Sequence, residues 1–188
     1  MSLTVTLREG LGIAKVLARR DTLAELRQHV QAQLGLTLPN APRRVSVYDT
    51  AAVGLGPGTW LFTREGGGND WAPHLKSMLG GSASISDQSD AYVVLRLTGA
   101  GVRETLAKLI PIDLHDKVFV HGDVAETLAS HLGVMVWRLE DDACAPVFEL
   151  AVSRSFSASL YHMLAVIAPD RECVIRLAAA HAIGHTTT

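Results

Sequence analysis

Apolar positions along the chain change period repeatedly, and the changes mark out two similar runs of elements. In the first run, residues 12–18 read as a strand and lead into a helix whose stripe is Leu23, Leu26, Val30 and Leu34. Thr22 and Glu25 have capping-box spacing at its start, and Gly35 ends it. Two β-rich runs follow, residues 45–48 and 59–63, and the Gly54-Leu55-Gly56-Pro57-Gly58 between them reads as a turn. A glycine loop, Gly66-Gly67-Gly68, precedes a helix with Asn69 as its cap and Trp71, Leu75, Met78 and Leu79 on one face. Gly80-Gly81 stops that helix, and residues 83–86 close the run as a short strand.

The second run repeats the order. Residues 92–97 read as a buried strand, and Val102, Leu106, Leu109 and Ile110 form the stripe of a helix that Pro111 terminates. Strands are expected at residues 125–128, 134–139 and 147–152, then a helix capped by Ser153 or Ser155, with Phe156, Leu160, Met163, Leu164 and Ile167 facing inward. Residues 173–177 would form a final strand. The last helices of the two runs share one spacing, Trp71-x3-Leu75-x2-Met78-Leu79 against Phe156-x3-Leu160-x2-Met163-Leu164. The pattern therefore predicts an α+β fold of two pseudo-repeated βαββαβ-like, ferredoxin-like halves. Because connections within each half include hairpins, the sheets should be mostly antiparallel. The halves are expected at about 1–86 and 87–180 of one compact domain, with 181–188 a frayed tail.

Composition adds a constraint on the surface. With 188 residues the chain can bury roughly 70% of its extended surface. Hydrophobic residues are 48%, charged residues only 19%, and mean hydropathy is +0.21, so part of the outside is expected to be covered by a partner. Alternatively, the isolated chain could self-associate. A net charge of −2, with no basic run longer than Arg19-Arg20 or Arg43-Arg44, argues against a nucleic-acid partner. No window has the length of apolar residues that a membrane span or signal peptide needs. Two cysteines, Cys144 and Cys173, make neither a disulfide framework nor a zinc site, which fits a reduced, cytoplasmic setting.

Candidate chemistry is sparse. Gly99-Ala100-Gly101 at a strand-to-helix junction fails the dinucleotide pattern, because Glu104 would stand beside the phosphates; it reads as a tight turn. His181 and His185 have helix-face spacing but no accompanying Glu, and His115, His121 and His131 read as polar loop residues. Glu140-Asp141-Asp142 suits a hairpin turn, and neither Ser153 nor Ser155 lies in a nucleophile elbow. No catalytic, cofactor-binding or metal residue is therefore assigned. Trp60 and Trp137 are the candidates for a partner interface.

Three segments carry a family resemblance: Asp87-Gln88-Ser89-Asp90 with Val94-Leu95-Arg96-Leu97-Thr98-Gly99, the Leu109-Ile110-Pro111-Ile112-Asp113-Leu114-His115 run, and the stretch 148–164. They resemble the gamma subunit of heterotetrameric sarcosine oxidase and, more distantly, the folate-binding domain of the glycine-cleavage aminomethyltransferase. The resemblance implies a subunit that looks like half of the aminomethyltransferase fold. It would act in a complex that demethylates sarcosine to glycine with production of hydrogen peroxide, passing the methyl carbon to tetrahydrofolate. Flavins, NAD, tetrahydrofolate and zinc would be held by the partner alpha, beta and delta subunits. In the transferase an aspartate assists one-carbon transfer; the corresponding strand here, Gly133-Val134-Met135-Val136-Trp137-Arg138, has no carboxylate. A general base or a group that stabilises an iminium cation must be anionic and within hydrogen-bond range. The expectation is thus a non-catalytic, structural subunit. The alternatives are a free-standing tetrahydrofolate-binding one-carbon protein, or a scaffold subunit of a complex oxidising another N-methyl amino acid.

Overall fold

A computed structural model describes residues 3–143, 145–167 and 173–176. The chain runs β1 (Leu3–Leu7), β2 (Gly12–Ala18), α1 (Leu23–Leu34), β3 (Arg44–Val47), β4 (Thr50–Gly56), β5 (Thr59–Arg64), α2 (Trp71–Leu79) and β6 (Ala83–Asp87). It continues with β7 (Tyr92–Thr98), α3 (Val102–Leu109), β8 (Val124–Ala129), β9 (Leu132–Arg138), β10 (Val147–Ser153), α4 (Ser157–Ile167) and β11 (Cys173–Arg176). A five-stranded sheet has the order β3-β4-β5-β2-β6, and a six-stranded sheet has the order β11-β1-β7-β10-β9-β8. Among the described residues only β1 and β11 pair in parallel, so the α+β class and the antiparallel character both hold.

The pseudo-repeat is present, with one more strand per unit than a βαββαβ order. Each half reads βαβββαβ, and β3-β4-β5-β2 matches β8-β9-β10-β7. Sequence reasoning missed two strands, β1 and, within the repeat, β4, which runs through Gly54-Leu55-Gly56 and leaves only Pro57 and Gly58 for the turn. Gly54 is needed there for a close approach: a Cβ would meet the Ala41 carbonyl oxygen at 2.4 Å. Equivalent core positions of the two terminal helices match, since Leu75 and Leu160, and Leu79 and Leu164, are all fully buried.

One strand crosses the expected boundary. β1 lies at the start of the chain, yet it inserts between β7 and β11 in the second sheet. Leu3 and Val5, alternate residues of β1, enter the core of that sheet, which corrects the placing of residues 1–86 in the first half.

The layers follow from side-chain alternation. Ala14, Val16, Trp60 and Phe62 pack beneath α1 and α2. Leu95, Leu97, Phe148 and Leu150 pack beneath α3 and α4. The opposite faces meet: Ile13, Val53 and Leu61 of one sheet contact Val94, Met135, Trp137 and Ala151 of the other. At one side the sandwich is closed by main chain, where the Arg44 N–H donates to the Gly122 carbonyl at 2.7 Å and Arg43 bridges Asp123.

Several expected helix starts take another form. The Thr22 hydroxyl donates to the Ser82 carbonyl at 2.6 Å instead of capping α1, so the Thr22–Glu25 box does not form. Asn69 lies inside a 3₁₀ turn, Gly68–Asp70, that runs directly into α2, and Ser153 makes no side-chain cap. Leu23 and Phe156 are exposed at 40% and 47% instead of facing inward. Both lie at helix starts, and because helical side chains lean toward the amino end they reach past the sheet beneath. Gly35 does end α1, at φ 65°. His181 and His185 lie outside the described residues, as do Cys144, the 181–188 tail and position 177 of the final strand.

Candidate functional site

Trp60 and Trp137 are each 1% exposed, which corrects their assignment to a partner surface. Trp60 lies on the helix-facing side of β5, and its indole donates to the Pro39 carbonyl at 3.0 Å. Trp137 lies between the sheets and donates to Glu149 at 2.7 Å. Each indole has found both its apolar packing and its hydrogen-bond acceptor inside this chain.

The signature segment at residues 87–90 joins the two sheets. The Ser89 hydroxyl accepts the Ile13 N–H at 3.0 Å and lies 3.1 Å from the Gly68 carbonyl, to which it can donate, while Asp87 accepts the Ser89 N–H. Arg154, from the third signature segment, donates to the Asp90 carbonyl at 2.6 Å and to the Ser89 carbonyl at 3.3 Å. These polar groups satisfy main-chain atoms where β6 passes into β7. A cleft of about 510 Å³ opens beside them, lined in part by Arg8, Asn69, Tyr92, Arg154 and Tyr161. Burial raises the pKa of the Tyr161 phenol in its wall.

The densest charge cluster was not anticipated. Arg96 on β7, Glu149 on β10 and Trp137 on β9 share the face between the sheets, and register puts Glu149 opposite both Arg96 and Trp137. Glu149 is 4% exposed. One carboxylate oxygen takes Arg96 Nε at 2.9 Å and Nη2 at 2.8 Å, and the other takes the Trp137 indole. Arg8, just after β1, lies with Nε 3.2 Å from the first oxygen and also pairs with Glu65 of the other sheet. From β3, Arg44 and Ser46 point to the same face, because Val45 and Val47 pack on the opposite one. The signal that could have found the cluster is a single charge in each of two apolar strands, Arg96 in YVVLRLT and Glu149 in VFELAVS.

These positions decide what chemistry the strand 133–138 can do. It contains no carboxylate, but besides Asp141, which pairs with Arg138, the structure brings two beside it: Glu149, next to Trp137, and exposed Glu126, opposite Met135 on β8. Both Glu149 oxygens are occupied by donors, so neither is free to take a substrate proton. Glu126 faces a cleft of about 230 Å³, smaller than the roughly 300 Å³ at which ligand pockets begin. Arg138, the strand's one cation, is anchored to the Phe119 carbonyl at 3.0 Å and to Asp141 at 3.1 Å.

Of the remaining candidates, Gly99, at φ 114°, makes the turn between β7 and α3. His115, His121 and His131 lie in loops or turns, His115 beside Asp116, and the described residues contain no group of three metal-ligating side chains. No helix among the described residues is long and apolar enough to cross a membrane.

A solved chain of the heterotetrameric sarcosine oxidase from Corynebacterium sp. U-96, in complex with pyrrole 2-carboxylate, is similar over 90% of this chain and 85% of its own, with 22% identity and a TM-score of 0.78. The glycine cleavage system aminomethyltransferase T from Bartonella henselae is similar over 92% of this chain and 47% of its own, with 12% identity and a TM-score of 0.68. This chain therefore spans about half of that transferase. No curated protein sequence matches. The family model described as sarcosine oxidase, gamma subunit family, matches residues 21–170, most of the chain. The chain belongs to the sarcosine oxidase gamma subunit family.

Proposed function

We propose that the chain is the non-catalytic gamma subunit of a heterotetrameric sarcosine oxidase. Its role is structural: it assembles with alpha, beta and delta subunits that carry the flavins, NAD, tetrahydrofolate and zinc of a cytoplasmic complex. That complex demethylates sarcosine to glycine oxidatively and passes the carbon to folate. The family match over residues 21–170 carries this reading. It is supported by the use of the signature residues Ser89 and Arg154 in joining the sheets, and by the occupied oxygens of Glu149. Affinity purification of the tagged chain from its native host tests it. Recovery of a flavoprotein with sarcosine-dependent peroxide production is expected, and a stable monomer without a flavoprotein would overturn it. If the flavoprotein prefers another N-methyl amino acid, the scaffold role stands and the substrate changes.

The likeness to the aminomethyltransferase fold favours a second reading, a free-standing tetrahydrofolate-binding protein. Calorimetric titration of the isolated chain with tetrahydrofolate separates the two, since only the second predicts heat.

A further inference from the structure

Three guanidinium groups and two carboxylates converge where β3 faces β7 and β10, leaving one positive charge in excess. Arg8 pairs with Glu65 and Glu149, and Arg96 grips Glu149 through two nitrogens. Arg44 is the group left over: among the described residues its only side-chain partner is the Ser46 hydroxyl at 3.2 Å, and no carboxylate lies within ion-pair distance. Glu149, shared between Arg96, Arg8 and the Trp137 indole, offsets Arg44 only from beyond ion-pair distance. Arg44 is nevertheless partly buried, and burial lowers its pKa, with Arg96 and Arg8 adding repulsion and Glu149 and Glu65 opposing it. A partly buried cation without a counter-ion is costly unless something neutralises it.

A cleft of about 390 Å³ opens on this guanidinium, a volume within the range of small-ligand sites. Arg44 and Arg96 line it, with the Ser46 and Thr98 hydroxyls and His121 as further donors. Glu140 and Asp142 also line it and would repel a polyanion. We propose that this cleft binds a small monocarboxylate, whose carboxylate neutralises Arg44 and whose other end is neutral or cationic, toward Glu140 and Asp142. A planar carboxylate matches the fork of a guanidinium, which a spherical halide does not. The described residues that line the cleft belong to this chain, so its test is separate from that of assembly with partner subunits.

The test uses the full 188-residue chain, with arginine Nε–Hε signals followed by NMR during titration with sodium acetate and, separately, glycine, at constant ionic strength set by NaCl. Saturable shifts are expected, with a Kd on the order of millimolar, as suits ligands of so few atoms. Arg44→Gln should weaken binding about tenfold or more, the effect of losing a charged hydrogen-bond donor. Arg44→Lys keeps the charge without the fork and should fall between. Should Arg44→Gln fail to fold, Arg44→Lys and the acetate-dependent rise in wild-type Tm supply the same comparison. Shifts that NaCl reproduces, shifts indifferent to both substitutions, or sulfate binding more tightly than acetate would each overturn the proposal.

Discussion

Replacing Glu149 by Gln tests the charge cluster between the sheets without opening a cavity, because the two side chains are nearly isosteric. The carboxylate now receives Arg96 through two nitrogens and the Trp137 indole, and forms an ion pair with Arg8 at 3.2 Å. A neutral amide has one acceptor oxygen, so it can keep either the indole or the arginine but not both. Removing one partner of a fully buried ion pair costs about 3–5 kcal/mol. Arg96 and Arg8 retain 32% and 19% side-chain exposure, so water recovers part of that and about 2 kcal/mol is expected. For a chain of this length that is a fall in Tm of roughly 4–8 °C. Urea unfolding followed by Trp fluorescence measures it. High salt should leave the difference largely unchanged, since the pair is poorly accessible to ions. Adding Arg96→Met should return part of the loss, because the uncompensated cation is then gone. A loss below about 0.5 kcal/mol for Glu149→Gln would refute the reasoning, placing the cluster among ordinary surface ion pairs.

Ser89→Ala removes the acceptor for the Ile13 N–H in a buried position and should cost about 1–3 kcal/mol in the same unfolding assay; an unchanged midpoint would show that another acceptor takes over. Gly54→Ala should be destabilising by at least about 2 kcal/mol, because its Cβ would lie 2.4 Å from the Ala41 carbonyl oxygen and must displace main chain; a neutral result would mean that the segment crossing β4 is free to move. The pKa of Tyr161 is raised by burial, so the phenol favours the fold while protonated. That contribution is complete below the ordinary tyrosine value near 10.0 and is lost as pH rises through the elevated folded value. Above pH 10 the wild-type Tm should therefore drop more steeply than that of Tyr161→Phe, and parallel curves would exclude a role for this group.

Local signals were strong wherever a segment's own period settles its form. Alternation and 3.6-residue stripes located the four helices of the described residues and most of their strands, and the duplicated order was visible in the helix spacing shared by residues 71–79 and 156–164. Where sequence reasoning failed, a non-local contact had overridden local chemistry. Gly54-Leu55-Gly56 has turn composition, yet the segment at Ala41 crossing above it makes glycine the residue a strand needs there. Thr22 has the spacing of a helix cap, but the Ser82 carbonyl, delivered by the 3₁₀ turn that follows α2, takes its hydroxyl. Trp60 and Trp137 could have been anchors on a surface or in a core; which one depends on the sheet face each occupies and on what covers that face.

The sequence by itself determined the periodicities, hence the α+β class and the repeat, and it carried the motifs of the gamma-subunit family, because both are written in short stretches of neighbouring residues. Tertiary structure alone decided that β1 joins the second sheet, that Glu149 stands opposite Trp137 and Arg96, and that Arg44 reaches the same cleft without a counter-ion. Those are matters of register between strands distant along the chain. A slip of one residue exchanges the two faces of a strand, and only the packing of both sheets together selects the register that is observed.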